Sequence, residues 1–188
     1  GLALLNGRRL AIADYGSGTI FEVDIDANTE LSAPRIRAMG FNKPWGLAWG
    51  NDGELFVAEI EGARISRIAA DGVVTVQVGT GEAGTSDGPA LEAQLSAPVA
   101  MVPGTDGMLI LDISPGSIRW NDFATGTVST LSGGAEVNEP EDGSLAVATW
   151  GEPSRAIALD ANTWLVVDGM PGTLRLVERD AAGGLVST

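Results

Sequence analysis

Apolar and polar positions along this chain alternate in short runs closed by glycine turns, and one arrangement comes round four times: an apolar strand, a carboxylate, a glycine-containing turn and a branched aliphatic six residues after the carboxylate. The copies read LAIADYGSGTI, LFVAEIEGARI, LILDISPGSI and LVVDGMPGTL, so the pairs are Asp14 and Ile20, Glu59 and Ile65, Asp112 and Ile118, Asp168 and Leu174. Successive carboxylates stand 45, 53 and 56 residues apart. A period near that length, with strand signals in every unit, predicts a propeller or array built from one repeated element.

The repeat extends in both directions. GLAWGNDGELFVAE aligns with GLALLNGRRLAIAD without a gap, and PVAMVPGTDGMLILD with PSRAIALDANTWLVVD, which gives each unit a first strand, a turn and a second strand. Downstream, ISRIAADGVVTVQVG, IRWNDFATGTVSTLSG and LRLVERDAAGGLVST supply a third strand, another turn and a fourth. Four antiparallel strands per unit make one propeller blade. The spacing predicts an all-β chain forming a single propeller domain or segment, with blades at about 1–40, 41–80, 95–133 and 150–188, as a closed four-bladed ring or part of a larger one. At most a turn or so of helix is expected in GPALEAQL.

The connectors carry their own motif. An Asp-Gly pair (Asp87-Gly88, Asp142-Gly143) precedes the strand-opening Pro98 and Pro153 by eleven residues, and Phe41, Leu95 and Trp150 each stand three before a proline, a place suited to an apolar plug. The string GTGEAGTSDGPALEAQLSAP, followed by strand, Asp, turn, IR and TGTVSTLSG, resembles the NHL-repeat pattern of bacterial and thioredoxin-associated propellers. The resemblance covers nearly the whole chain and is best from Gly79 to Gly133. It implies the propeller fold, usually with about six blades; for function it spans protein-binding scaffolds, RNA binders, sensors and a peptide-amidating lyase, because sites are grafted on folds.

Composition narrows the chemistry. The 188 residues include no cysteine and no histidine, which removes thiolate and imidazole ligands, thiol nucleophiles and the commonest general base; the histidine-bound zinc that the resemblance implies for the amidating lyase therefore has no counterpart. Lys43 is the only lysine, so a hydroxyl nucleophile lacks a ready base, and no catalytic constellation emerges. Eleven basic against 25 acidic residues give a net charge of −14, which repels a phosphate backbone and makes nucleic acid an unsuitable partner. No run has the length of a membrane-spanning helix.

Asp14, Glu59, Asp112 and Asp168 recur in every blade and are read as structural, each accepting backbone N–H groups of the turn that follows it. Pro115-Gly116 and Pro171-Gly172 suit a turn in the same way. Binding positions are expected where one blade departs from the rest. Arg155 stands where other units carry Gly1, Gly46 and Ala100, Trp45 and Trp49 belong to one blade, and Arg35 and Arg37 lie in the shorter first connector. Trp120, Trp150 and Trp164 read as core. Hard cations need only oxygen ligands, which leaves carboxylate-bound Ca²⁺ open as a cofactor; no other cofactor or metal is expected. The leading expectation is a non-enzymatic protein-interaction or scaffold module, an accessory part of a larger assembly partnered by a protein or by further blades. A small-ligand or lactonase-like propeller using Ca²⁺ is the alternative.

Overall fold

The computed structural model describes residues 1–135, 139–170, 172–179 and 185–187. Blade 1 is built from β1 (Leu2–Leu5), β2 (Arg9–Asp14), β3 (Thr19–Asp24) and β4 (Arg35–Met39). Blade 2 follows with β5 (Pro44–Trp49), β6 (Leu55–Glu59), β7 (Arg64–Ile68) and β8 (Val74–Val78). The next connector contributes β9 (Gly88–Pro89), and blade 3 holds β10 (Pro98–Pro103), β11 (Gly107–Ile113), β12 (Gly116–Asp122) and β13 (Thr127–Gly133). After β14 (Gly143–Ser144) comes blade 4, with β15 (Pro153–Ala158), β16 (Thr163–Asp168), β17 (Thr173–Glu178) and β18 (Leu185–Ser187).

Neighbouring strands pair antiparallel in chain order, giving four sheets arranged as a four-bladed β-propeller. The connectors are less passive than a turn. Each Asp-Gly segment adds a short fifth strand to the outer edge of the blade that follows it, β9 on β13 and β14 on β18, and then makes a single turn closed by Ala93 N to the Pro89 carbonyl and Ala148 N to the Ser144 carbonyl, no more helix than expected. Pro171 and Thr188 lie outside the described residues.

Blades stack face to face, and each apolar face has a fixed membership. Ala11, Ala13 and Ile20 of blade 1 pack on Leu55, Val57 and Ile68 of blade 2 with the plug Phe41. Phe56, Ala58 and Ile65 of blade 2 meet Met108, Ile110 and Val128 of blade 3 around Ala93 and Leu95. Leu109, Leu111 and Ile118 of blade 3 meet Trp164, Val166 and Val177 of blade 4 around Ala148 and Trp150. The aliphatic six residues after each carboxylate is thus the residue that presses on the next blade, and Ile20, Ile65 and Ile118 are each 0% exposed.

Blade 4 breaks the series. Leu174, at the same place, is 56% exposed, Val167 38% and Ile157 59%. On the opposite side Leu2 and Leu4 of blade 1 are 68% and 56% exposed. Among the described residues no buried cluster joins blade 4 to blade 1, so the ring is sealed at its first three junctions only.

The inner strands explain why small residues recur near the axis. A Cβ on Gly46 would lie 2.3 Å from the carbonyl oxygen of Val99, and one on Gly1 1.9 Å from that of Trp45. The next blade's inner strand leaves no room for a side chain there. At Arg155 the long side chain is exposed instead.

The same repeat position therefore carries different weights in different blades. Ile118→Ala, which opens a cavity in a covered face, is expected to cost about 2–5 kcal/mol, whereas Leu174→Ala should stay within about 0.5 kcal/mol, as exposed substitutions do. Urea titration of the two variants checks the contrast.

Candidate functional site

The inner strands β1, β5, β10 and β15 enclose a central cavity of about 200 Å³ whose walls include Gly1, Trp45, Gly46, Ala100 and Arg155. Trp45 is 40% exposed on this cavity and meets Tyr15 edge to face at 5.8 Å. Lys43 stands over the Tyr15 ring at 4.7 Å. Arg155 also faces the cavity and donates to the carbonyl of Ser154 at 2.7 Å. The cavity therefore has a mixed polar and apolar wall with one aromatic edge, Trp45, and one guanidinium, Arg155, which suits an anionic group.

Trp49 lies elsewhere: its Nε1 donates to the carbonyl of Ala3 at 3.1 Å and its ring packs against the core shared by blades 1 and 2. Arg35 pairs with Asp24 and, at 2.9 Å, with Glu22. Arg37 reaches across to blade 2, donating to the carbonyls of Ala69 at 2.6 Å and Ala70 at 3.3 Å, with its Nε 3.3 Å from Glu22. The structure thus brings Trp45 and Arg155 together, sets Trp49 and Arg37 into the blade 1–2 junction, and keeps Arg35 on β4, paired within blade 1; both arginines lie in a strand and not in a connector.

Three of the four repeated carboxylates do more than cap their own turns. Asp14, exposed, follows the expectation and accepts from Gly16 N at 3.0 Å and Ser17 Oγ at 2.6 Å. The buried members turn toward the connector that enters their blade. Glu59 accepts from Asn42 N at 2.6 Å, Asp112 from Ser96 N and Ala97 N at 2.7 and 2.6 Å, and Asp168 from Gly151 N and Glu152 N at 3.2 and 2.8 Å. Each clamps the one or two residues just before the strand-opening proline. Those N–H groups are partly buried, and a carboxylate is the side chain that can accept two of them at once.

Two arginines complete the clamp. Arg119, 1% exposed, donates to the carbonyls of Gln94 and Ser86 and to Asp87, which also accepts from Thr130. Arg175, also 1% exposed, holds the carbonyls of Thr149 and Glu141, pairs with Asp142 and Asp168, and stacks on Trp150 at 4.1 Å. Both follow their carboxylate by seven residues, and both bind the aspartate of the Asp-Gly motif. That paired spacing was available in the sequence as the signal of their role.

Burial pushes the Asp112 carboxyl above its ordinary pKa, against the pull of the Ser96 and Ala97 N–H groups. The folded chain then takes up that proton more readily than the unfolded one, so this group adds stability as pH falls and withdraws it as pH rises through the raised value. Asp87 has the opposite sign: burial opposes ionisation, but Thr130 and Arg119 outweigh it and hold the carboxyl low, so its contribution is present above the ordinary value and lost in acid.

Asp112→Ala should destabilise the chain by about 1–3 kcal/mol by leaving the partly buried N–H groups of Ser96 and Ala97 without their acceptor. Asp112→Asn removes the titration, and its deficit in melting temperature relative to the parent should narrow as pH rises from acid toward neutral.

No protein-family model and no curated protein matches the chain. Solved structures do match in fold. A Bacteroides thetaiotaomicron protein of unknown function superposes with a TM-score of 0.78 at 19% identity over 99% of this chain and 46% of its own. An auxiliary nutrient binding protein from the same organism gives 0.66 at 16% identity, covering 85% of this chain and 42% of its own. A gluconolactonase from Xanthomonas campestris gives 0.65 at 15% identity, covering 96% and 58%. The chain spans about half the length of these proteins. Their shared property with it is the β-propeller fold.

Proposed function

We propose that the chain is a non-enzymatic interaction module of NHL type, a set of blades whose open sides dock another protein surface or further blades. One observation carries this reading. Ile157, Val167 and Leu174 occupy the positions that Val102, Leu111 and Ile118 use to pack on a following blade, yet among the described residues they join no core cluster and stand 59%, 38% and 56% exposed. Apolar residues held at core positions of a repeat and left to solvent mark a surface built for a partner. The matched proteins of roughly twice this length support the same reading.

A small-ligand or lactonase-like reading with carboxylate-held Ca²⁺ draws its support from the gluconolactonase among the structural neighbours. Among the described residues no three acidic side chains gather into a cluster that could hold a metal. The repeated carboxylates are instead committed to backbone N–H groups and arginines. No helix of the described chain is long and apolar enough to cross a membrane.

Light scattering with increasing protein concentration tests the docking reading. The isolated chain should self-associate, and the double variant Val167→Glu, Leu174→Glu should reverse this without lowering the melting temperature. A parent chain that stays a monodisperse monomer with a cooperative melt would overturn the proposal. Titration calorimetry with Ca²⁺ decides the alternative: a site for the ion should bind at roughly micromolar to millimolar levels and raise the melting temperature.

A further inference from the structure

The three sealed junctions are closed differently at their outer ends, and the middle one is left open. The position eight residues after the carboxylate faces the next blade and carries Glu22, Arg67 and Trp120 in blades 1, 2 and 3. Between blades 1 and 2, Glu22 is bound by Arg35 and Arg37, and Arg37 also ties to the Ala69 and Ala70 carbonyls. Between blades 3 and 4, Trp120 packs on Trp164 at 5.7 Å under Arg179 at 3.8 Å, and the space left there is about 30 Å³. Between blades 2 and 3, Arg67 has neither an ion pair nor a side-chain hydrogen bond among the described residues, and it borders a cleft of about 260 Å³.

The facing wall holds a second departure. One residue further on, the repeat places Val23, Ile68 and Val177, all buried aliphatics, in three blades. Blade 3 has Asn121 there. It is 1% exposed, borders the same cleft, and neither its Nδ2 nor its Oδ1 has a hydrogen-bond partner. Alternation along β12 turns it away from Ile118 and Trp120, which pack toward blade 4, and so toward blade 2 and Arg67. A buried amide with both ends unpaired at a position the repeat fills with hydrocarbon costs folding free energy, and such costs concentrate where a ligand offsets them.

We propose that this inter-blade cleft is a binding site for a small amino carboxylate, a zwitterion of the amino-acid type. Arg67 receives the carboxylate, and Asn121 offers a donor to the same group and an acceptor to the amino group. Glu54 and Asp122 on the cleft wall attract the ammonium and repel a doubly charged anion such as phosphate. Phe56 and Phe123 supply the apolar flank, and the volume fits a molecule of few heavy atoms. The site lies away from the central cavity and does not depend on the docking of blades 1 and 4.

The test is saturation-transfer NMR on the 188-residue chain with glycine, L-serine and L-glutamine, using acetate and methylammonium as single-charge controls. At least one amino acid should bind, with the controls weaker by roughly tenfold or more, because each leaves a buried polar partner unmatched. Asn121→Val restores the aliphatic of the other blades. It should raise the melting temperature while weakening binding by roughly tenfold or more, and Arg67→Gln should weaken it similarly. Binding by none of the three amino acids, or binding that survives Asn121→Val unchanged, overturns the proposal; the stabilised variant decides the matter even where Arg67→Gln folds poorly.

Discussion

A blade that is apolar on both faces buries both of them only between two neighbours, and the main features of this molecule follow from that requirement. Hydrogen bonding completes each four-stranded sheet internally, but it leaves rows of Ile, Leu, Val and Ala on either side that water opposes. The branched aliphatic six residues after each carboxylate is the residue through which a blade presses on the next. Where a next blade is present the residue is fully buried. Where none is present the same side chain stands in solvent, which is why blades 1 and 4 present the most apolar surface in the chain.

Stacking alone does not fix how the chain passes from one blade to the next. That is the work of the buried carboxylates and arginines, which are paired, hydrogen-bonded and almost without exposure. Asp112 with Arg119, and Asp168 with Arg175, hold the connector from both sides: the carboxylate takes the N–H groups ahead of the proline, while the guanidinium takes the carbonyls and the aspartate of the Asp-Gly motif. Charges so deeply buried are tolerable because each is held by several partners: Arg119 donates through both terminal nitrogens to two carbonyls and Asp87, and Arg175 to two carbonyls and two aspartates. Blade 2 solves the problem with other residues, Glu59 binding Arg64 and Ser66, and its connector correspondingly lacks the Asp-Gly element.

Against a scaffold this regular, departures from the repeat stand out. Arg155 replaces the glycine or alanine that close packing imposes at the axis, and its side chain is free because no following inner strand crowds it. Arg67 and Asn121 replace groups that close the other junctions, and leave a polar cleft in an otherwise apolar seam. The repeated carboxylates, conspicuous in the sequence, belong to the scaffold.

The sequence by itself determined the blade count, the strand order and the connector plugs, since the period-two alternation, the glycine turns and the fixed offsets from each carboxylate are local properties that need no knowledge of neighbours. It also marked Arg155 as an exception. Which N–H groups Asp112 and Asp168 accept, however, depended on a connector fifteen to seventeen residues away being folded back onto the strand end, and only the tertiary structure placed it there. The same holds for Trp45 and Trp49, neighbours in one strand that part company into the central cavity and the blade 1–2 core. It holds also for Arg67 and Asn121, whose positions in two different blades become one cleft only when the faces of those blades are laid together.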